Sequence, residues 1–282
     1  MIKWGILGLG RMGNTFANAI KEVENSKLIS VASKSDYKLS AFQKNFNIKP
    51  ENKFKSYNEL ISSNQIDAVY ISTLNNTHVD LILECAKKNK KILCEKPIGL
   101  NLNQANLALE AINKYNISFY EAIAYRSHPQ TKTLLELIDS GEIGEVYKIE
   151  AYCGWKTKKV KKDSRHYNKG LGGGAILDLG SYPVSFSTFI ASLVSKIDYN
   201  KIRLTNKTKE FCSAGVEIDA SLEINFLGST NSIVLLSFDI YTGVVIAIFS
   251  SLLFPPAIYL NNFLKLLFLP MSAETFIIAA LG

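Results

Sequence analysis

The first 125 residues repeat one pattern, a short apolar run followed by a helical stretch, and few folds can satisfy it. The runs Ile2–Leu7, Leu28–Ala32, Ala68–Ser72, Lys91–Cys94 and Ile117–Tyr120 read as buried strands. Helical periodicity fills the gaps at Asn14–Val23, Tyr37–Phe46, Val79–Lys88 and Leu102–Tyr115, and Asn116 is placed to cap the last of these. Strand–helix alternation of this kind implies right-handed crossovers onto a parallel sheet. A chain of 282 residues has room for a second domain beside it.

The pattern changes near Ala124. Pro129–Ser140 is amphipathic and stops at Gly141, Glu145–Cys153 reads as a strand, and Asp178–Leu193 as a helical stretch. Glu217–Phe226 and Ser232–Phe238 read as further strands that neighbour one another, as in an antiparallel sheet. The expected fold is an α/β domain over residues 1–123, then an α+β domain with a mostly antiparallel sheet over 124–239, incomplete at its C-terminal end. Residues 240–282 form an atypical apolar tail.

Composition narrows the function classes. With 47% hydrophobic and 20% charged residues the chain is an ordinary globular protein. Its net charge of +7 favours anionic ligands such as phosphates. No zinc-finger spacing, nucleic-acid motif or aromatic–basic stripe accompanies that charge, so nucleic acid is not an expected partner. Cys85, Cys94, Cys153 and Cys212 form no CxxC pair, and the apolar N-terminus is too short and glycine-punctuated for a signal peptide. Free thiols in a reducing cytoplasm are expected. His78, His128 and His166 lie far apart in sequence, and no metal site is expected.

The sharpest motif is Gly8-Leu9-Gly10-Arg11-Met12-Gly13, a GxGxxG turn that follows a predicted strand and opens a predicted helix. Gly8 permits the tight turn, Gly10 lets the backbone approach a pyrophosphate, and Gly13 lets helix and strand pack closely. Free N–H groups, including those of Arg11 and Met12, and the helix dipole would face the phosphates. This context marks a Rossmann-type dinucleotide-binding domain. The second strand leads into Ser33 and Lys34, a hydroxyl and a cation that suit the 2′-phosphate of NADP. Asp36 lies close enough to the strand end to leave NAD as the alternative, since an acid at the tip would bind ribose hydroxyls. Thr73 and His78 follow the third predicted strand, where the cofactor should lie, and His78 reads equally well as structural.

Cys94-Glu95-Lys96-Pro97 closes the fourth predicted strand, and ligands of open parallel sheets bind beyond the carboxyl ends of strands. Glu95 and Lys96 therefore belong near a bound nicotinamide. The run Lys91–Asn101 resembles the hallmark of the Gfo/Idh/MocA oxidoreductases. So do Gly8–Gly13, Glu121-Ala122 with Tyr125–Pro129, and Gly172–Pro183, all in the family's order and spacing. The resemblance covers roughly residues 1–239. Tyr182 makes it most similar to the branch that holds glucose–fructose oxidoreductase, dimeric dihydrodiol dehydrogenase and NADP-linked xylose dehydrogenases.

The resemblance implies an NAD(P)-dependent dehydrogenase or reductase acting on a sugar or polyol. Lys96 matches the family's catalytic lysine and Tyr182 its proposed proton donor or acceptor. Asp178, four residues before Tyr182, would line the same pocket if the segment is helical; it would bind substrate, orient Lys96, or serve only as an acid at a helix start. Free tyrosine, with a pKa near 10, is a poor base at neutral pH; Lys96 beside Tyr182 would lower that value or would transfer the proton itself. Arg126 would touch cofactor or substrate. His128 reads as structural or functional. The basic loop Lys156–Lys169, with seven Lys or Arg in 14 residues, would hold a phosphorylated or nucleotide-linked sugar or form a solvated face; Arg165 and His166 lie nearest the glycine run. A homo-oligomer is expected.

One segment departs from the family. Ile240 to Leu264 carries no charge in 25 residues, enough to span a membrane, although Pro255-Pro256 interrupts it. The tail reads as an altered C-terminus, a membrane-associated segment, or unusually apolar final strands and helices buried in an oligomer interface. The alternative to an active enzyme is a non-catalytic dinucleotide-binding protein or a defective, truncated family member. No site residue is expected in the tail.

Overall fold

All five apolar runs of the N-terminal region form strands, and the helical patterns between them form helices. In the computed structural model the described residues are 1–155, 164–194, 197–226, 231–237, 243–250 and 268–269, with side chains described as far as Phe226. The chain divides into two compact units, the first running from Met1 to His128 and the second beginning at Pro129.

The strands of the first unit are β1 (Ile2–Leu7), β2 (Ser26–Ala32), β3 (Lys53–Phe54), β4 (Ala68–Ile71), β5 (Lys91–Cys94) and β6 (Phe119–Glu121). They make one parallel sheet in the order β3-β2-β1-β4-β5-β6. Strand order reverses between β1 and β4, which in such sheets opens a ligand crevice at the carboxyl ends. Helices α1 (Arg11–Ala19), α2 (Asp36–Phe46), α3 (Tyr57–Ile61), α4 (His78–Lys87) and α5 (Leu102–Lys114) connect the strands. Ile6, Leu7, Val69, Ile71 and Ile82 are wholly buried, each stabilising the fold by about 1.5–3 kcal/mol.

Local chemistry sets the boundaries. The Ser35 and Asn101 side chains cap α2 and α5 by accepting from Lys38 N and Gln104 N. Asn47 and Asn116 follow those helices with φ of 53° and 52°, in the left-handed region that asparagine tolerates. Two elements escape sequence periodicity, the two-residue β3 and the five-residue α3, because neither is long enough to show one.

The second unit contains α6 (Pro129–Asp139), β7 (Val146–Gly154), α7 (Ala175–Leu179), α8 (Ser181–Val194), β8 (Arg203–Phe211), β9 (Glu217–Asn225), β10 (Asn231–Ser237), β11 (Gly243–Ser250) and β12 (Phe268–Leu269). Its sheet runs β12-β11-β7-β10-β9-β8, antiparallel except for the β7–β10 pair. The sequence reads Asp178–Leu193 as one helical stretch, whereas the structure shows two helices. Pro183 has no N–H for the carbonyl four residues back, so the hydrogen-bond ladder lapses there. The backbone stays right-handed through Gly180 (φ −61°, ψ −27°).

The sheet does not stop at Asp239. β11 runs antiparallel to β7 from the Gly243–Gly154 pair to the Ser250–Val146 pair and carries β12 on its other side. The expected end of the strand pattern is therefore corrected. Alternation marks strands with one wet face, and its absence excludes only that kind of strand. Because β11 takes eight residues of the uncharged stretch, that stretch is not one helix. Among the described residues no helix is long and apolar enough to cross a membrane. Pro255, Pro256 and most of the tail lie outside the described residues, as does Lys156–Asp163 of the basic loop.

Candidate active site

The glycine turn connects β1 to α1. Gly8 adopts φ +89°, and a Cβ there would lie 2.8 Å from Ser72 O. A Cβ on Gly13 would lie 2.5 Å from Gly8 O, so the close approach of helix and strand requires glycine. Gly10 behaves differently: a Cβ would meet nothing within 4 Å, so the space beside its backbone is open. Gly10 also caps α1 without a side chain, leaving the first-turn N–H groups to a ligand. Ser72, just past β4, fastens the turn by donating its hydroxyl to Gly8 O at 2.7 Å. Arg11 is exposed and Met12 half-buried beside it. These features fit a dinucleotide pyrophosphate.

β2 ends at Ala32, so Ser33 and Lys34 are the first residues beyond it. Ser33 is buried, donates its N–H to Phe54 O, and accepts from Ser35 N. Lys34 is exposed. Asp36 does not reach the strand tip: it opens α2 and pairs with Lys55 at 2.9 Å.

Beyond β4, Thr73 is half-buried and its Oγ1 accepts from the Thr77 hydroxyl at 2.7 Å. His78 has no exposed surface. Its Nδ1 meets Pro97 O at 2.8 Å and its Nε2 faces Thr73 O at 3.4 Å, so the ring ties the loop after β4 to the loop after β5. Its full burial and its two carbonyl partners make it a brace between these loops.

The loop after β5 is held at several points. Glu95 N donates to Ile71 O, and the Glu95 carboxylate accepts from Tyr70 Oη at 2.5 Å. Tyr70 is itself buried and stacked on Phe16, with ring centroids 4.3 Å apart. Lys96 and Pro97, joined by a cis peptide, are half-buried. Glu121 ends β6 and accepts from Ile98 N at 2.8 Å. Burial pushes the Glu121 carboxyl above its ordinary value, against the opposing pull of the Ile98 N–H, Arg126 and Lys96. Arg126 lies exposed in a short turn over Ala124–Ser127, and His128 N donates to Tyr125 O. Burial pushes Cys94 well above the usual thiol value and Cys85 up to about 12, which leaves both thiols inert.

Asp178 and Tyr182 belong to the second unit. Asp178 is buried in α7, and Tyr182 lies half-buried one helical turn on, in α8. The Asp178 oxygens meet Arg165 Nη1 at 3.4 Å and His166 Nδ1 at 3.1 Å, and Trp155 sets its ring edge against His166 at 5.0 Å. Arg165 and His166, which the sequence sets only beside the glycine run, are thus partners of Asp178. Glu217 accepts from Ile176 N at the start of α7, and a Cβ on Gly174 would strike its carboxylate.

Sequence reasoning gave three groups here no role of their own. Tyr70 reads as one more strand residue, and nothing local shows that its hydroxyl reaches Glu95. Glu217 lies 41 residues from its partner Ile176. Glu121 had a usable signal: it is an acid at the carboxyl end of a strand beside the Lys96 strand, where ligands of such sheets bind.

Comparison with known proteins gives the class. Residues 2–122 match the model described as the oxidoreductase family with an NAD-binding Rossmann fold, and residues 131–248 match the GFO/IDH/MocA C-terminal domain. The chain belongs to the Gfo/Idh/MocA oxidoreductase family, and the match passes Asp239 into β11.

Among its relatives, trans-1,2-dihydrobenzene-1,2-diol dehydrogenase of Xenopus tropicalis is 33% identical over 190 residues, covering 67% of this chain and 56% of that protein. Myo-inositol 2-dehydrogenase of Thermotoga maritima is 30% identical over 141 residues, covering 50% and 42%. The chain thus spans about half the length of the curated relatives it matches. Among solved structures, a 3-ketoreductase from Actinomadura kijaniata with NADP and TDP-benzene shares the fold at TM-score 0.77 and 18% identity, over 89% of this chain and 74% of that one. Scyllo-inositol dehydrogenase from Lactobacillus casei, with NAD(H) and scyllo-inositol, shares it at 0.76 and 21%, over 89% and 74%.

Proposed function

We propose that this protein is an NADP-linked dehydrogenase or reductase that interconverts a carbinol and a carbonyl on a sugar, polyol or cyclic diol. The observation that carries the reading is the common placement of the glycine turn, Thr73 and Glu95-Lys96 at the carboxyl ends of β1, β4 and β5, around the reversal of strand order. The substrate class follows the names of the relatives, which act on a dihydrodiol, inositols and a keto compound.

In this reading Gly8, Gly10, Arg11, Met12 and Gly13 hold the pyrophosphate, and Ser33 and Lys34 the 2′-phosphate. Asp36 is spent on Lys55, which favours NADP over NAD. Thr73, Glu95 and Arg126 lie along the same edge, with His78 bracing it. Bound NADP supplies the hydride acceptor, and NADPH the donor in reverse. Lys96 and Tyr182 form the acid–base pair: in oxidation Tyr182 takes the hydroxyl proton and the Lys96 ammonium stabilises the phenolate. Asp178, held by Arg165 and His166, fixes the substrate side of the second unit. The substrate's sugar is phosphorylated or nucleotide-linked if the basic loop engages it, and the working form is a homo-oligomer.

The test is a titration with NADPH and NADH, followed by turnover on trans-1,2-dihydrobenzene-1,2-diol, myo-inositol, scyllo-inositol and D-xylose. Tighter NADPH binding with turnover on at least one compound is expected. Saturable binding without turnover on any would favour the non-catalytic reading.

A further inference from the structure

Pro97 O and Ile98 N are the two polar ends of a single peptide unit, the Pro97–Ile98 peptide, which begins one residue after Lys96. His78 Nδ1 meets the carbonyl end at 2.8 Å, and Glu121 Oε1 accepts from the N–H end at 2.8 Å. The two side chains come from opposite neighbours of β5: His78 opens α4 after β4, and Glu121 ends β6. The β6 register is fixed independently, since Glu121 pairs with Cys94 and Ala122 N donates to Cys94 O at 2.7 Å. Glu121 is therefore tied to the chain two residues before Lys96 and two residues after it.

From this clamp we infer that Glu121 is a positioning residue for Lys96. It holds the chain on both sides of the lysine, at Cys94 and at Ile98, and its carboxyl feels the charges of both Lys96 and Arg126. The inference rests on the reading of Lys96 as a catalytic group.

Burial of a carboxylate is costly and calls for a return. Structure alone does not supply it: an apolar residue could fill this position, and the Ile98 N–H could be satisfied by a neutral acceptor. The energetic cost is borne at the carboxyl end of β6, beside the loop that carries Lys96, where the charges of Lys96 and Arg126 pull against it, a pattern that marks functional sites.

The experiment compares the full chain with Glu121→Ala, Glu121→Gln and Lys96→Ala, using two readouts. The first is hydrogen exchange at the Ile98 amide. Protection should fall about tenfold in Glu121→Ala and be retained in Glu121→Gln, which still offers an oxygen acceptor. The second is steady-state oxidation of trans-1,2-dihydrobenzene-1,2-diol with NADP. Glu121→Ala should lose at least about tenfold in kcat with NADPH affinity within about threefold, and Glu121→Gln should recover part of that loss. Unchanged Ile98 protection in Glu121→Ala overturns the clamp. Parental kcat in Glu121→Ala beside an inactive Lys96→Ala overturns the positioning role while leaving Lys96 catalytic. Parental kcat in Lys96→Ala removes the reading beneath it, and the exchange data then report a bond of the fold alone.

Discussion

Glu121 shows how one side chain's energetics and function can pull apart. Its carboxyl is pushed above the ordinary value by burial, so the folded state holds a proton over a pH range where the unfolded chain has released it. Stability therefore falls as pH rises from the unfolded carboxylate value through the raised folded one. Glu121→Gln removes the buried charge and should raise the melting temperature at neutral pH, with the gain shrinking as pH falls below the raised value. Thermal unfolding at neutral and mildly acidic pH checks this, and a variant less stable than the parent at neutral pH would contradict it. Lys34 carries the cofactor choice: Lys34→Ala should weaken NADPH about tenfold and NADH little, as expected for one charge-assisted contact. Equal losses for both cofactors in fluorescence titrations would remove Lys34 from the 2′-phosphate. Lys96→Ala and Tyr182→Phe should each cut turnover at least about a hundredfold, the scale of a lost acid–base group, with NADPH affinity nearly unchanged. A variant that keeps parental turnover loses its assigned role.

At the scale of elements, the second and third glycines of the turn separate folding from binding. Gly13→Ala pushes a Cβ to 2.5 Å from Gly8 O, which should cost about 1–3 kcal/mol and lower the melting temperature. Gly10→Ala meets nothing in the protein and should leave stability unchanged while weakening NADPH, because its methyl would occupy the cofactor's space. Equal effects of the two on stability would refute this division. The same turn explains what was legible in the sequence. Glycine spacing, strand ends and caps are local properties, so Gly8–Gly13, the end of β2 before Ser33 and the Asn116 cap read directly from residue order. The bonds Tyr70–Glu95, Glu121–Ile98 and Glu217–Ile176 span 25, 23 and 41 residues and depend on which strands lie side by side. Residue types do not carry that information. β8, exposed along its whole length at the sheet edge, has too little apolar content to signal a strand. β11 failed the alternation test because that test detects strands with one wet face.

For the whole molecule, the uncharged stretch from Ile240 to Leu264 leaves little polar surface to turn toward water. The full chain should therefore associate, and light scattering in solution should give a mass of at least two chains. A soluble monomer with a protease-resistant C-terminal region would mean that these residues complete a fold of their own. The central claim, that the first unit's crevice serves redox chemistry, is tested most directly by NADPH formation. Parent protein and Lys96→Ala are each incubated with NADP and the panel of diol, inositols and sugar, and nicotinamide absorbance is followed. The account predicts NADPH formation by the parent on at least one compound, reduced at least about a hundredfold in Lys96→Ala. Saturable NADPH binding by the parent with no turnover on any compound, or turnover equal in the two proteins, would contradict it.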